Sequence, residues 1–504
     1  LTVNQRPLVA TLARQYDGTT TSAGSTLSSF DALQGGETLT MTGSGTAASA
    51  NVANGIAMSS NGNLALVNGT GLASNYSLSS ASLNITQRVL NSSGSKTYDA
   101  NTNALAGAIT LSNLVSGETL NHSGTASVSS ANAGSYTISN LSGISIADNA
   151  GTASNYTLTG GTHNFTVNQR VVSVNGTRLY NALSTAVASD LSTHANLVGS
   201  QTLTLSGTGT IASKNVGSSK TVSLGTLALA DGSNGGLAAN YTLTGGTHQL
   251  TVNQRPLAAT IARQYDGTKT ASGSDLSSFN ALQGGETLTL SGSGSVSDEN
   301  VASGQSVTLG TLALVNGTGL ASNYSLSSAS LNITQRVLNS SGSKTYDANT
   351  NALAGAITLS NLVSGETLNH SGTASVSSAN AGSYTISNLS GISIADNAGT
   401  ASNYTLTGGT HNFTVNQRVV SVNGTRLYNA LSTAVASDLS THANLVGSQT
   451  LTLSGTGTIA SKNVGSSKTV SLGTLALADG SNGGLAANYT LTGGTHQLTV
   501  NQRP

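Results

Sequence analysis

The chain has no cysteine and no tryptophan, only three prolines, and only 7% charged residues among its 504. Without cysteine no disulfide can brace a small domain. Eighteen basic and eighteen acidic residues leave a formal net charge of zero. That balance excludes the basic surface nucleic acid requires and a polybasic membrane anchor. There is no run of about 18 apolar residues to span a bilayer; no signal peptide is visible in this stretch, which opens inside a repeat and so carries no information on export. Low charge also marks disordered tracts, but here 37% of residues are hydrophobic and alternate with polar ones in short runs, a pattern disordered segments lack. The absence of cysteine is also what bacterial chains that cross membranes unfolded commonly show.

What the chain does have is repetition. Residues 64–256 recur letter for letter as residues 312–504, at an offset of 248. A shorter period lies beneath. Arg6, Arg88, Arg170, Arg255, Arg336, Arg418 and Arg503 each close a Thr-Gln-Arg or Asn-Gln-Arg tripeptide, at spacings of 82, 82, 85, 81, 82 and 85. Internal repeats override a domain count taken from length. The reading is six divergent domains in the order A-B-C-A′-B′-C′: A at 7–88, B at 89–170, C at 171–255, A′ at 256–336, B′ at 337–418 and C′ at 419–504. Residues 1–6 read as the end of a preceding repeat, so the chain is expected to be a segment of something longer. A domain of about 82 residues buries only about 60–65% of its unfolded surface.

Within repeat C the apolar period is that of strands. Leu203 and Leu205 alternate with threonines, as do Val222 and Leu224, the mark of a half-buried strand. After Gly225 the alternation resumes on the opposite phase at Leu227 and Leu229; after Gly245-Gly246 it resumes at Leu250 and Val252. Such slips predict a bulge or a bend, and the glycine pair predicts a turn. No 3.6-residue stripe is present. Pro7, Pro256 and Pro504 all follow the Gln-Arg, where a strand opens and a missing N–H is tolerated. Residues 165–174 join two strand-like halves with no turn residue between them, so consecutive domains are expected to be separated by only a few residues. The expected fold is all-β: six tandem Ig-like β-sandwiches, each with its own small core, placed end to end as an elongated rod of roughly 200 Å at about 3.3 Å per strand residue. A β-solenoid would need a sub-period of about 20–30 residues, and none is visible.

Four motifs recur in fixed order. A Tyr-Asp-Gly element or its variant stands at Tyr16-Asp17-Gly18, Tyr98-Asp99-Ala100, Tyr180-Asn181-Ala182, Tyr265-Asp266-Gly267, Tyr346-Asp347 and Tyr428. Gly-Glu-Thr-Leu follows at Gly36, Gly117, Gly285 and Gly365, with Gln for Glu in the C repeats. Then come Asn-Val or Asn-Ala elements such as Asn215-Val216. Asn-Tyr closes each repeat at Asn75-Tyr76, Asn155-Tyr156, Asn240-Tyr241, Asn323-Tyr324, Asn403-Tyr404 and Asn488-Tyr489. The whole chain thereby resembles the YDG and MBG repeats found in tandem in giant bacterial surface proteins, including filamentous-haemagglutinin-like exoproteins exported by two-partner secretion. The resemblance implies an extracellular or cell-surface place, an outer-membrane secretion partner, and roles in adhesion, biofilm matrix or surface filaments. It identifies no ligand.

No residue set reads as a catalytic site, and no cofactor is implied. The fourteen tyrosines are expected to pack each within its own sandwich with its hydroxyl bonded; the functional alternative is a row of sugar-stacking rings. The recurrent arginines are expected at the joints between domains, paired with the Tyr-Asp-Gly aspartate or a Glu37-like residue, or else solvated. Acids are too scattered for calcium, and His163 and His248 too isolated for zinc. Gly207-Thr-Gly209 lies between strands rather than before a helix, so it is no phosphate loop. Repeat A has no lysine, which rules out a lysine–asparagine isopeptide cross-link common to all repeats. The functional expectation is a non-enzymatic stalk of a giant secreted adhesin or biofilm-matrix protein that projects or spaces a binding region. Its alternatives are a self-assembling filament or sheath subunit and a polysaccharide-binding array. Partners would be extracellular polysaccharide, a host or neighbouring-cell surface, or copies of itself.

Overall fold

The computed structural model describes residues 1–504. It is all-β, with short 3-10 turns as the only helical elements, and no helix long and apolar enough to cross a membrane. Two compact halves, Leu1–Asn253 and Gln254–Pro504, each hold three repeats.

Repeat A shows how one domain is made. Its strands are β1 Arg6–Gln15, β2 Thr21–Ala23, β3 Leu27–Phe30, β4 Leu39–Thr42, β5 Ser44–Ala47, β6 Ala53–Ser60, β7 Ala65–Asn68 and β8 Tyr76–Thr86. The main sheet runs β2-β5-β6-β8-β1-β3, and β4 pairs with β7 separately. The two edge strands β2 and β3 are joined only by the three-residue turn Gly24–Thr26. One sheet must therefore curl until its edges meet, and both faces of the expected sandwich come from this curled sheet closed by the β4–β7 ribbon. Alternation along the strands supplies the core. Ala10 and Leu12 of β1 cluster with Ala81, Leu83 and Ile85 of β8, and Leu8 with Leu39 and Tyr76, all buried, each large side chain stabilising by about 1.5–3 kcal/mol.

The first and last strands of the domain are parallel neighbours, from Arg6↔Tyr76 to Gln15↔Thr86. A single bulge interrupts them: Ser79 is the extra residue, and its hydroxyl donates to the Leu8 carbonyl at 2.7 Å. In repeats B and C the closing strand is broken in two. Tyr156–Thr157 and His163–Asn168 are separate strands in B, Tyr241–Thr242 and Gln249–Asn253 in C. The break is the Leu-Thr-Gly-Gly-Thr-His segment, and Gly160 and Gly245 turn it with φ of 87° and 86°. Gly161 has no room for a side chain, since a Cβ there would lie 1.9 Å from the Leu90 carbonyl oxygen. At Gly225 (φ 54°) the phase slip marks a turn between the strands Gly217–Ser223 and Ala228–Asp231 rather than a bulge within one strand.

Between repeats the chain does not pause. Strand Tyr76–Thr86 ends one residue before the next opening strand, Arg88–Val89, so Gln87 alone separates A from B. Gln169, Gln335 and Gln417 hold the same place in the other joints within the halves. The arginine that closes each repeat in the sequence reading is the first residue of the next opening strand. Separate small cores were expected; instead the core of A runs on through Leu90, Leu120 and Tyr156 of B. Likewise A′ continues into Leu338, Leu368 and Tyr404 of B′, and B′ and C′ share one cluster. The sequence reading missed this because nothing local marks Leu120 as facing a neighbour.

Candidate functional site

The four repeated motifs come together at the joints. In the A–B joint Tyr16 projects from the end of β1 onto repeat B. Its hydroxyl donates to one oxygen of Glu118 at 2.5 Å, while Tyr156 donates to the other at 2.6 Å. The two rings meet edge to face, centroids 5.3 Å apart at 78°, a geometry that adds about 0.5–1.5 kcal/mol beyond burial. The backbone N–H of Val115 donates to the Tyr156 hydroxyl at 3.0 Å, so that phenol both donates and accepts. Burial first, then the hydrogen bond to Glu118, pushes Tyr156 up to about 12 and raises Tyr16 by the same causes.

The other motifs complete this joint. Asn155, fully buried, reaches back into repeat A: its side-chain oxygen accepts from Val52 N at 2.8 Å and its amide donates to Asn51 Oδ1 at 2.9 Å. Asn51-Val52 is the A repeat's Asn-Val element. Gln87 donates to the carbonyls of Ser154 and Tyr156 at 3.1 and 2.9 Å. Arg88 Nε and Nη2 donate to the backbone and side-chain oxygens of Asn113 at 2.6 and 2.9 Å, and Nη1 to the Tyr16 carbonyl at 3.4 Å. Asn113 sits at φ 65°, a left-handed conformation asparagine tolerates, and its amide donates back to the Val89 carbonyl at 2.7 Å.

The joint recurs three more times. A′–B′ repeats it with Tyr265, Tyr404 and Glu366 at 2.5 and 2.6 Å and rings 5.5 Å apart; Asn403 binds Val301 N and Asn300, and Arg336 binds Asn361. Tyr404 is pushed to about 12 by burial and Glu366, and Tyr265 is raised by the same two causes. In B–C glutamine replaces glutamate. Tyr241 donates to Gln201 Oε1 at 2.5 Å, while Gln201 Nε2 donates to Tyr98 at 2.9 Å, and Tyr241 is raised by burial. Asn240 binds Ala133 N and Asn132, and Arg170 binds Asn196. B′–C′ matches, with Gln449 between Tyr346 and Tyr489, Asn488 on Ala381 N and Asn380, and Arg418 on Asn444. Tyr16, Tyr98, Tyr265 and Tyr346 are 3–5% exposed. Tyr428, with no repeat following it among the 504 residues, is only half-buried.

These placements revise two expectations. Tyr16, Tyr98, Tyr265 and Tyr346 do not pack each within its own sandwich; the next repeat covers them, while Tyr136 and Tyr384 bond within their own repeat. In the four joints described, the arginines neither pair with acids nor stand solvated; they bind carbonyls and an asparagine. At the start of the chain, Tyr76 donates to Glu37 at 2.6 Å, and the same pairing holds between Tyr324 and Glu286 at 2.9 Å.

The Asp and Gly of the signature shape the turn that aims the tyrosine. Asp17 Oδ1 accepts from Thr19 N at 3.0 Å, Asp266 from Thr268 N, Asp99 from Asn101 N and Asp347 from Asn349 N. This is a turn aspartate and asparagine form equally well, and Asn181 makes it in C with Leu183 N. The next residue is left-handed in every repeat, with φ of 76° at Gly18 and 73° at Gly267, and 62° at Ala100, Ala182 and Ala348. The signature aspartates pair with a base two residues before the tyrosine, Arg14, Lys96, Arg263 or Lys344, and are about two-fifths exposed, so those ion pairs are worth little.

The histidines serve the fold. His163 lies between the Ser92 hydroxyl (2.9 Å) and the Leu158 carbonyl (2.7 Å), closing the glycine loop; His248 does the same through Val174 N and Leu243 O. No three His, Asp or Glu residues are placed to hold a metal ion. No tyrosine is exposed.

A family model for the YDG domain matches the chain six times, at residues 2–84, 82–164, 165–249, 247–331, 329–412 and 413–497. No curated protein matches it.

Proposed function

The chain belongs to the YDG domain family, and from this and from its joints we infer that it is the structural stalk of a giant secreted or cell-surface bacterial adhesin or biofilm-matrix protein, projecting or spacing a binding region that need not lie within it. One observation carries the reading: all four motifs of the repeat signature converge on the contact between consecutive domains. Tyr16, Asn51, Glu118 and Asn155 come from two repeats and meet at one joint. A ligand-binding repeat would spend its most regular residues on a surface; this one spends them on holding its neighbour. The buried tyrosines lend no support to a polysaccharide-stacking platform. Extracellular localisation and an outer-membrane secretion partner are part of the proposal and follow from the family resemblance.

Small-angle scattering of residues 1–504 across a concentration series tests it. A stalk gives a maximum dimension of roughly 200 Å, taking about 3.3 Å per strand residue, with one cross-section at every concentration. A cross-section that grows with concentration would transfer the reading to a laterally assembling filament, and a compact particle would defeat both.

A further inference from the structure

The two strands through which each domain joins the rest of the chain are hydrogen-bonded to each other, in parallel. In repeat A, β1 enters at Arg6 and β8 leaves at Thr86, and the register runs Arg6↔Tyr76 through Gln15↔Thr86. A pull along the chain acts on the Arg6 end of one strand and the Thr86 end of the other. These are opposite ends of one ribbon, so the load falls on every cross-strand bond together, in shear, and no bond at a tip opens first. The ribbon is flanked by fully buried Leu8, Leu12 and Leu83, which keep water from competing for those bonds. We propose that each repeat is a tension-bearing clamp, and that the clamps are graded, with A and A′ yielding last.

The grading follows from the strands. In A and A′ the ribbon is ten residue pairs broken only by the one-residue bulge. In B it is a two-residue piece, Arg88–Val89 on Tyr156–Thr157, and a six-residue piece, Ser92–Thr97 on His163–Asn168. In C the second piece shrinks to five, Asn175–Leu179 on Gln249–Asn253. The sequence cause is the glycine loop: where A has Leu78-Ser79-Ser80-Ala81, B has the two-residue-longer Leu158-Thr-Gly-Gly-Thr-His163 and C its counterpart, which split the closing strand. A shorter, divided ribbon shares the load among fewer bonds. This goes beyond spacing a tip and holds whatever the stalk carries, so it fails or stands separately from the proposed function.

The absence of cysteine allows the test in the whole chain, by placing two handles on exposed residues. Gln5→Cys with Thr86→Cys pulls repeat A in shear. Gln5→Cys with Ser74→Cys pulls the same repeat from one end of the ribbon, because Gln5 Nε2 lies 3.0 Å from the Ser74 carbonyl. Gln87→Cys with Asn168→Cys pulls repeat B in shear. Forced unfolding reports the barrier along the pulled direction, and full extension of the first pair is roughly 280 Å at about 3.5 Å per residue. The expected result is a rupture force several-fold higher for 5/86 than for 5/74, with 87/168 between them. Equal forces for 5/86 and 5/74 would overturn the clamp. A B repeat as strong as A would overturn the grading.

Discussion

Glu118→Gln and Glu118→Ala, made in parallel, separate the hydrogen-bond geometry of a joint from its charge. Glu118 accepts two buried tyrosine hydroxyls at 2.5 and 2.6 Å. A hydrogen bond to a charged group is worth about 1.5–3 kcal/mol net, and part of that is offset by the cost of burying the carboxylate. Alanine removes both bonds and leaves two phenols without acceptors, so the A–B joint should lose about 3 kcal/mol. Glutamine should cost less than about 1.5 kcal/mol, because the chain already uses it: Gln201 accepts from Tyr241 and donates to Tyr98 in the same frame. The charge appears at high pH. A folded-state tyrosine pKa raised from 10 to about 12, as at Tyr156, contributes stability that is whole below pH 10 and lost as pH rises to about 12. At 1.36 kcal/mol per unit that loss is roughly 3 kcal/mol for this one residue. In Glu118→Gln the carboxylate is gone while burial remains, so Tyr156 should ionise closer to 10 and the alkaline loss should shrink. Calorimetry at neutral pH and phenolate absorbance against pH read the two effects. Glutamine as damaging as alanine, or a phenolate titration that glutamine leaves unmoved, would refute the reasoning.

Other consequences are simpler. Ala100→Gly and Ala348→Gly relieve a left-handed alanine with φ of 62° and should each stabilise by about 0.5–1 kcal/mol, seen as a rise in Tm; Gly18→Ala should do the reverse, and more strongly, since its Cβ would lie 2.8 Å from Val115 Cγ1. Asn155→Asp places a carboxylate oxygen where the amide donated to Asn51 Oδ1 and should cost about 2 kcal/mol or more as an unpaired buried charge, with Asn155→Ala milder; denaturant midpoints compare them. A chelator should leave the melting curve unchanged, since no acid cluster holds the joints together; a fall in Tm would expose a missed ion.

The repeats, the all-β class and the near-absence of linkers are legible in the sequence because they rest on identity, on period-2 alternation and on the missing turn between Val167 and Val171. The glycine loop is legible for the same local reason. The joint is not. Tyr16 and Glu118 are 102 residues apart, and no periodicity links a ring in one repeat with a carboxylate in the next. A signal did exist: Tyr16, Asn51, Glu118 and Asn155 recur at fixed places without being large aliphatic core residues, and glutamine, the neutral side chain of glutamate's own length and shape that can also bridge two hydroxyls, replaces glutamate in the C repeats. Arg88 misleads because charge alone suggests an acidic partner, whereas a left-handed Asn113 offers it two oxygens. The parallel pairing of first and last strands is equally silent, since alternation is the same whichever way a neighbour runs.

The central claim is that the repeat signature couples consecutive domains, and hydrogen exchange on the full chain carrying Glu118→Ala tests it most directly. Tyr16 N donates to the Thr86 carbonyl at 2.9 Å and Tyr265 N to that of Thr334 at 2.9 Å. The peptides around them, residues 8–23 and 257–272, differ in sequence and can be told apart. The account predicts faster exchange around Tyr16, in the repeat before the substitution, with Tyr265 unchanged because its own Glu366 is intact. Exchange that quickens only within residues 89–170 would mean that neighbouring domains merely touch, and would contradict it.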